Sequence, residues 1–220
     1  MKGSYPKEQE LRAAVVATAR GMNVAGINRG KSGNVSARLR TDAFDGFVIT
    51  PTGMPYDATT PDDIVAMTLH GDAHGARLPS SEWRFHRELY RAREDFHAIV
   101  HAHAPFATTL ACMHRGIPAF HYMVAAGGGR DIRCAPYATF GSAELAAFAV
   151  AAMADRRACL LANHGMIAAA SDLAAALALA VEVEGLAETY WRALQLGDPE
   201  LLSDAEMDVV IEKFRSYGQP

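Results

Sequence analysis

The chain has 220 residues, of which 50% are hydrophobic and 21% are charged, and its formal net charge is -4 at pH 7. This composition is typical of a soluble globular protein, and the length predicts one domain over residues 1–220 with a core large enough to fold without disulfides. The acidic balance offers no basic face that could neutralise a nucleic-acid backbone, so we expect no nucleic-acid partner.

No segment predicts secretion or a membrane span. The most apolar helical stretch, residues 173–183, is much shorter than the roughly 20 residues that a bilayer requires. Charged residues near the N-terminus interrupt any apolar run of the kind found in signal peptides. The three cysteines are widely spaced and odd in number, which indicates reduced thiols. We therefore expect a cytoplasmic protein with no membrane partner.

The N-terminal part of the chain predicts a helix followed by two short strands. Apolar residues recur at helical spacing over residues 6–24 and alternate over residues 35–39 and 46–50. The glycine-punctuated segment between helix and strands has the wrong spacing for a phosphate-binding P-loop, and a strand follows it instead of a helix. We therefore predict no nucleotide site. A glycine turn remains, in which backbone N–H groups near Gly33 and the Asn34 amide could hold an anion.

The next two segments give weaker signals. The loop after the second strand carries Thr52 and Gly53, which offer a hydroxyl and an approachable backbone N–H, although these residues alone are typical of a connecting turn. A strand is predicted over residues 64–69. His70 and His74 lie in the turn after it with no apolar run around them, so we predict that they are solvated and bind no metal.

Two serines and a glutamate precede a predicted helix over residues 82–93. Serine is a preferred N-cap, and the first turn of a helix has unpaired N–H groups and a partial positive charge. Ser80, Ser81 and this backbone are therefore predicted to form a cradle for a phosphate or carboxylate. Glu82 in the same turn is either a carboxylate that stabilises the helix dipole or a base or metal ligand.

Two histidines lie two residues apart in the apolar run of residues 99–105. Side chains i and i+2 of a strand point to the same face, so His101 and His103 are predicted to converge. A second strand-like run ends in His164 before a glycine. The chain has 9 histidines, so a chance pair at this spacing is an alternative. Together with Glu82, the three imidazoles form a complete set of ligands for a catalytic divalent metal such as zinc, provided that the fold brings them together.

The remaining segments predict further helices and strands. Helices are predicted over residues 105–113, 142–154, 172–196 and 204–214, and strands over residues 158–162 and 166–170. Three glycines at residues 127–129 predict a mobile loop close to the site. Because helices and strands mix without strict βαβ alternation, we predict an α/β fold or α+β sandwich whose central, mainly antiparallel sheet is flanked by helices.

Seven short motifs occur in one order along nearly the whole chain. They are Gly33-Asn34-Val35-Ser36, Thr50-Pro51-Thr52-Gly53, Pro79-Ser80-Ser81-Glu82-Trp83-Arg84-Phe85-His86, Val100-His101-Ala102-His103, Pro136-Tyr137-Ala138-Thr139-Phe140-Gly141, Asn163-His164-Gly165 and Glu212-Lys213-Phe214. Together they resemble the class II aldolase/adducin family. This resemblance implies a class II aldolase/adducin-like fold and a zinc-dependent aldehyde-lyase. The implied reaction cleaves a ketose 1-phosphate, such as L-fuculose 1-phosphate, into dihydroxyacetone phosphate and a short aldehyde through a metal-stabilised enediolate.

The resemblance also implies a role for each matching residue. One Zn²⁺ per chain, or another divalent metal, would be bound by Glu82, His101, His103 and His164. The substrate phosphate would be bound by Gly33, Asn34, Thr52, Gly53, Ser80 and Ser81. Glu82 would also act as acid and base, with Tyr122 of a neighbouring subunit and Tyr217 of the C-terminal tail as further catalytic residues. The implied assembly is a homotetramer with active sites at its subunit interfaces.

These roles suit the chemistry of a retro-aldol cleavage. Negative charge develops on the enediolate, and a divalent cation stabilises it as a Lewis acid. A base must remove the C4 hydroxyl proton, and the enediolate must then be protonated at carbon. A phenol such as Tyr122 suits the oxygen proton, and Glu82 fits the proton transfer at carbon.

Several alternatives stay open within the resemblance. The substrate could instead be 5-deoxyribulose 1-phosphate or 5-methylthioribulose 1-phosphate in a salvage pathway. Phe120, Met123 and Phe140 could line an apolar pocket for the substrate's end or belong to the core. Pentulose-phosphate 4-epimerases of the family carry Ser-Ser-Asp where this chain has Ser80-Ser81-Glu82, which favours the aldolase. A non-catalytic adducin-like scaffold is disfavoured because all three histidines are present.

Overall fold

The computed structural model describes residues 5–216, with side chains described from residue 8 to residue 214. Its helices are α1 (Tyr5–Val24), α2 (Trp83–Ala92), α3 (Pro105–Cys112), α4 (Ala143–Ala152), α5 (Leu173–Leu194) and α6 (Asp204–Ser216). Its strands are β1 (Asn34–Thr41), β2 (Phe44–Ile49), β3 (Val65–Thr68), β4 (Ala73–His74), β5 (Ala98–Ala102), β6 (Arg133–Ala135), β7 (Ala158–Leu161) and β8 (Gly165–Ala170). Short 3₁₀ helices cover Tyr56–Ala58, Pro61–Asp63 and Tyr122–Gly127.

The eight strands form one sheet in the order β4-β3-β2-β1-β5-β8-β7-β6. Every neighbouring pair is antiparallel except β6 and β7, which are parallel. The predicted fold class is therefore confirmed. In the middle of the sheet, Asn34 of β1 pairs with His101 of β5, so two predicted site residues lie side by side.

Helices cover both faces of the sheet and give it two hydrophobic cores. One core contains buried residues of α1, α3, α5 and α6, and the other contains those of α2 and α4. Side chains alternate between the faces along each strand. Thus Val100 of β5 packs in the first core, while Ile99 packs in the second. His101 has the same parity as Ile99, and its ring lies edge-on to Phe85 of α2 at 5.3 Å between centroids.

Three features differ from the sequence-based expectations. The short strands β4 and β6 were not predicted, because two or three residues carry too little periodicity to be recognised. The helix expected from residue 82 begins at Trp83, with Glu82 as its N-cap. Residues 127–129 pack against the protein: Gly127 and Gly129 are buried, and the Gly127 carbonyl accepts a hydrogen bond from the Arg157 N–H at 2.6 Å.

The sequence predicts no membrane span and reduced thiols. Within residues 5–216, no helix is both long and apolar enough to cross a membrane. Cys112, Cys134 and Cys159 all lie in this range and all carry free thiols.

Candidate metal centre and substrate cavity

The predicted metal ligands converge at one point, at the end of the central strands of the sheet. Glu82, His101, His103 and His164 each offer a donor atom, and these four atoms lie within 4.8 Å of one another. Glu82 comes from the N-cap of α2 and His101 from β5. His103 lies just beyond the end of β5, and His164 lies in the turn between β7 and β8. Convergence of the two neighbouring histidines therefore does not require that both belong to the strand.

The four side chains approach one another with their metal-binding atoms. The two oxygens of Glu82 lie 3.1 Å from Nε2 of His101 and 3.1 Å from Nε2 of His164. Nε2 of His101 also lies 3.1 Å from Nε2 of His103. All three imidazoles therefore direct Nε2 into the cluster.

The hydrogen-bonding pattern of this cluster fits a bound cation. Nδ1 of His101 donates to the Met166 carbonyl at 2.9 Å, so in the neutral ring Nε2 carries only a lone pair. That nitrogen faces the Glu82 carboxylate, so the contact is favourable only with a proton on Nε2 or with a cation between the two groups. Oε1 of Glu82 is buried and has no hydrogen-bond donor directed at it. A divalent metal would satisfy both groups, and three imidazoles with one carboxylate form a donor set that suits Zn²⁺.

The ionisation of the cluster also favours metal binding. Burial acts to raise the pKa of Glu82, but the neighbouring His101 and His164 outweigh it and hold this pKa well below its usual range. The carboxylate is therefore ionised. Burial, followed by the charges of His101 and His164, lowers the pKa of His103 to about 4. At neutral pH His103 thus has the uncharged form that binds metals.

The turn that carries His164 depends on its two neighbours. Asn163 adopts a left-handed conformation with φ 55°, which asparagine tolerates better than most residues. Its Oδ1 atom lies 2.6 Å from Nε2 of His114, which also has a positive φ of 51°. A Cβ atom at Gly165 would lie 2.5 Å from the Ala102 carbonyl oxygen. A glycine is therefore needed where this turn packs against the end of β5.

One open cavity of about 350 Å³ joins the metal ligands to the predicted anion-binding residues. Its wall includes three of the ligands, Glu82, His103 and His164. It also includes all six residues predicted to bind phosphate, namely Gly33, Asn34, Thr52, Gly53, Ser80 and Ser81. Their shared location agrees with the predicted roles, which stay predictions.

Two turns form the anion-binding end of this cavity. The Thr52 N–H donates to the Leu78 carbonyl at 3.1 Å, and the Ser80 N–H donates to the Thr50 carbonyl at 3.0 Å. These bonds bring the segment with Thr52 and Gly53 next to Ser80 and Ser81. Gly53 has a positive φ of 66°, and Thr52 and Ser81 are exposed to the cavity.

The glycine turn before β1 forms the third side of the anion-binding end. The buried hydroxyl of Tyr56 donates to the Gly33 carbonyl at 2.8 Å and to the Ser32 carbonyl at 3.1 Å. A Cβ atom at Gly33 would lie 2.4 Å from the His101 carbonyl oxygen, so only glycine fits against β5. The turn is thereby fastened to the strand that carries a metal ligand.

Asn34 is closer to the metal ligands than its predicted phosphate role implies. Its Nδ2 atom donates to Oε2 of Glu82 at 2.9 Å, and its Oδ1 atom lies 2.5 Å from Nε2 of His86. One amide hydrogen of Asn34 remains for a substrate. The side chain is thus partly committed to the protein.

The two predicted catalytic tyrosines are not in this cavity. Tyr122 begins a 3₁₀ helix, is 51% exposed and does not line the cavity. Its predicted role involved a neighbouring subunit and stays a prediction. Tyr217 lies outside the described residues. Of the residues considered for an apolar pocket, Phe140 lines the cavity, whereas Phe120 and Met123 pack against the first core.

Two further residues near the site were missed in the sequence. Lys31 lines the cavity and is the only lysine or arginine to do so in the part of the chain that the structure describes. Its position two residues before Gly33, in the glycine turn predicted to hold an anion, could have indicated this placement. His86 is completely buried behind Asn34. Its signal was a spacing of four residues from Glu82, which places both on one face of a helix.

Comparisons with known proteins point in one direction. The family model described as "Class II Aldolase and Adducin N-terminal domain" matches residues 13–191. A Rhodospirillum rubrum protein named 5-methylthioribulose-1-phosphate/5-deoxyribulose-1-phosphate aldolase is 54% identical over 208 residues, which cover 94% of this chain and 92% of the relative. L-fuculose phosphate aldolase of Escherichia coli (strain K12) is 46% identical over 213 residues, covering 96% and 97%. A solved L-fuculose 1-phosphate aldolase structure matches with a TM-score of 0.88 and 40% identity, covering 94% of this chain and 96% of that one.

Proposed function

The chain belongs to the class II aldolase and adducin family, and from that membership we propose that it cleaves a ketose 1-phosphate into dihydroxyacetone phosphate and a short aldehyde. The observation that most supports this proposal is that one cavity joins a cluster of one glutamate and three histidines to a set of turns suited to an anion. A metal-dependent aldolase needs both parts, because one end binds the phosphate and the other acts on the carbon skeleton.

We assign the metal to Glu82, His101, His103 and His164, with one Zn²⁺ per chain. When bound there, the metal would supply Lewis-acid stabilisation of the negative charge that develops on the substrate as its carbon–carbon bond breaks. The Nδ1 bond of His101 to the Met166 carbonyl supports the assignment, because it orients the ring and directs Nε2 inward.

Proton transfer is assigned to Glu82 and Tyr122. As the C3–C4 bond breaks, the C4 hydroxyl loses a proton and C3 must gain one. The low pKa of Glu82 makes it a carboxylate at rest, so in the cleavage direction it must take up a proton from solvent before it can donate one to C3, and in the condensation direction it removes that proton. The phenol of Tyr122 suits the proton at oxygen, and its exposed position is compatible with action in a neighbouring subunit's cavity. We also assign a catalytic role to Tyr217, which lies outside the described residues.

The phosphate group is assigned to the anion-binding end of the cavity. This end offers donors without a fixed charge, namely the backbone N–H groups at Gly33 and Gly53, the remaining amide hydrogen of Asn34 and the hydroxyls of Thr52, Ser80 and Ser81. Lys31 adds one positive charge to this end. Binding energy from the phosphate would hold the scissile bond beside the metal ligands.

The substrate class that we favour is a ketose 1-phosphate with a short apolar end, such as 5-deoxyribulose 1-phosphate or 5-methylthioribulose 1-phosphate. The relative with 54% identity carries both substrates in its name. Tyr137 and Phe140 support this choice, since both line the cavity and are 57% and 64% exposed. L-fuculose 1-phosphate is the second candidate, favoured by the relative with 46% identity. An apolar wall discriminates one methylene by only about 1–3 kcal/mol, so we expect activity on more than one substrate.

The assembly and location are proposed on the same basis. We expect a homotetramer with active sites at subunit interfaces, because Tyr122 lies outside the cavity of its own chain and a second copy would have to supply it. We also expect the protein to be cytoplasmic. Light scattering on the purified protein would measure the assembly.

A coupled assay for dihydroxyacetone phosphate tests the reaction directly. Zinc-loaded protein would be given the 1-phosphates of 5-deoxyribulose, 5-methylthioribulose, L-fuculose and ribulose, with and without chelator. We expect product that disappears with chelator and returns with Zn²⁺, with the highest kcat/KM for an apolar end. Release of no dihydroxyacetone phosphate from any of the four would refute aldol cleavage of these substrates, and epimerisation of a pentulose phosphate or a scaffold role would replace it.

A further inference from the structure

A row of buried polar side chains leads from Glu82 into the second core. β1 contributes Asn34 and Ser36, which share one face because they are two residues apart. α2 contributes His86 and Tyr90, which follow Glu82 at spacings of four residues and lie on one face of the helix. Asn34 is 2% exposed, and Ser36, His86 and Tyr90 are completely buried. Polar groups at such depth must be hydrogen-bonded, and these four bond to one another.

Four contacts connect the row without a gap. Nδ2 of Asn34 lies 2.9 Å from Oε2 of Glu82, and Oδ1 of Asn34 lies 2.5 Å from Nε2 of His86. Oγ of Ser36 lies 2.7 Å from Nδ1 of His86 and 2.8 Å from the Tyr90 hydroxyl. We call Asn34, His86, Ser36 and Tyr90 the relay.

The carboxylate at one end determines the direction of every hydrogen bond in the relay. Nδ2 of Asn34 donates to Oε2 of Glu82, so the amide oxygen of Asn34 faces His86 and can only accept. Nε2 of His86 must then carry the hydrogen and donate. In a neutral ring Nδ1 is left as an acceptor, so the Ser36 hydroxyl donates to it. Ser36 in turn accepts from the Tyr90 hydroxyl, and all four bonds point towards Glu82.

The complete burial of His86 and Tyr90 favours the ionisation states that this direction requires. Burial, and then the charge of His101, lowers the pKa of His86 to about 3, so the ring is neutral near pH 7. Burial raises the pKa of Tyr90 above its usual range, so its phenol keeps the proton that it donates. The relay therefore has one consistent arrangement of hydrogens.

The two oxygens of Glu82 have different surroundings as a result. Oε2 accepts from Asn34 and also lies 3.1 Å from Nε2 of His101, whereas Oε1 lacks any hydrogen-bond donor and lies 3.1 Å from Nε2 of His164. A carboxylate held by Asn34 at one oxygen cannot rotate freely about its last torsion. Both oxygens thus stay directed at the imidazole cluster.

We propose that His86 is a positioning residue, and that the relay of Tyr90, Ser36, His86 and Asn34 holds the Glu82 carboxylate in the orientation that serves the metal centre. The role of Glu82 in this inference rests on the proposed function. The tautomer of His86 and the affinity for zinc can nevertheless be measured without any substrate. Hydrogen-bond partners behind metal ligands typically change affinity or activity by about 10- to 100-fold when removed.

The first test reads the tautomer of His86 in the unaltered, zinc-loaded protein. Nitrogen-15 NMR of labelled histidine distinguishes a protonated from an unprotonated ring nitrogen. We expect the neutral form with hydrogen on Nε2 at pH 7, and we expect Ser36→Ala to mix the two tautomers because Nδ1 loses its donor. A ring with hydrogen on Nδ1, or an imidazolium, would reverse the direction of the relay and overturn the proposal.

The second test measures zinc affinity by competition with a chromophoric chelator. His86→Phe is expected to weaken zinc binding by about 10- to 100-fold and to lower kcat in the same range. KM should change less, because His86 contacts only Asn34 among the residues predicted to bind phosphate. Tyr90→Phe should cause a smaller loss, since Ser36 can still donate to His86. The matched control is Tyr190→Phe, which removes the same atom from a buried tyrosine in the first core and should leave zinc affinity unchanged.

Two outcomes separate this inference from the proposed function. If His86→Phe and Ser36→Ala lower only the melting temperature and leave zinc affinity and kcat unchanged, the relay is purely structural and the inference is wrong. If zinc affinity falls as expected while no sugar phosphate is cleaved, the positioning role stands and the proposed reaction fails.

Discussion

The two ends of the cavity are built from different parts of the protein. At the metal end, the ligands are side chains, and two of them, Glu82 and His101, are only 6% and 0% exposed. At the anion end, the donors lie on turns, where Gly33 and Gly53 have positive φ angles and Thr52 is exposed.

This difference determines how each end responds to substitution. A ligand side chain has no substitute, because the remaining donors cannot complete the coordination of a metal. An anion held by several backbone N–H groups and hydroxyls loses only one of many contacts when a side chain is removed. Changes at the metal end should therefore abolish function, whereas most changes at the anion end should reduce it only in part.

The largest effect is expected at the metal end. His103→Ala should abolish stoichiometric zinc binding and lower kcat/KM by at least about 10,000-fold, or roughly 5 kcal/mol of transition-state stabilisation. Zinc content by atomic absorption and the dihydroxyacetone phosphate assay measure both quantities. His70→Ala is the control, because His70 is exposed and lies outside the cluster. Retention of one zinc per chain by the His103 variant would remove this residue from the ligand set.

A change of charge without a change of shape comes next. Glu82→Gln should lower kcat by about 100- to 1,000-fold, since general acid and base catalysis contributes in this range. KM should change much less, because the phosphate contacts remain. Steady-state kinetics separate the two parameters, with Glu88→Gln on the surface of α2 as the control. A kcat near that of the unaltered protein would exclude Glu82 as the acid and base.

Acid should destabilise the region behind the metal end. The pKa of His86 is about 3 in the folded protein, below the ordinary value of 6.5. Between these values the unfolded chain binds the extra proton, so stability falls as the pH falls, by up to about 1.4 kcal/mol per pH unit for this group. Urea unfolding of the metal-free protein at several pH values measures the slope. His86→Phe should reduce the slope, and an unchanged slope would show that His86 does not cause it.

One substitution at the anion end should have a larger effect than the others there. Gly33→Ala would place a Cβ atom 2.4 Å from the His101 carbonyl oxygen, so the turn must move away from β5. We expect KM for the sugar phosphate to rise about tenfold or more, equivalent to about 1.4 kcal/mol. Gly30→Ala is a matched control, because Gly30 has a similar φ of 67° and its Cβ would meet nothing within 4 Å. Equal effects of the two variants would attribute the loss to backbone strain alone.

The smallest effect is expected from a single substitution among the many contacts of the anion end. Lys31→Met removes an exposed cation from the phosphate end, and exposed charge pairs contribute about 0.2–1 kcal/mol. We expect KM to rise by no more than about fivefold with kcat unchanged, and the effect to shrink in high salt. Arg29→Met is the control, since this cation lies outside the cavity wall. A loss of several hundredfold would mean that the phosphate depends on one charge.

Local patterns in the sequence determined the elements and the choice of ligands. Helical periodicity predicted α5, and alternation predicted β1 and β2, because these signals repeat along a short stretch of covalent chain. The motifs around His101, His103 and His164 indicate the family from the sequence alone. The convergence of these histidines with Glu82 depended on the sheet order, which no local pattern contains.

Tertiary structure alone decided which residues stand behind the ligands. His86 meets Asn34 and Ser36 across 52 and 50 positions of sequence, and nothing near His86 indicates either partner. The parallel pairing of β6 with β7, the packing of residues 127–129 against Arg157 and the placement of Lys31 in the cavity are decided in the same way. The physical reason is that periodicity records which side of its own element a residue occupies. Its partner on another element is selected only when the cores pack and every buried polar group must find a hydrogen bond.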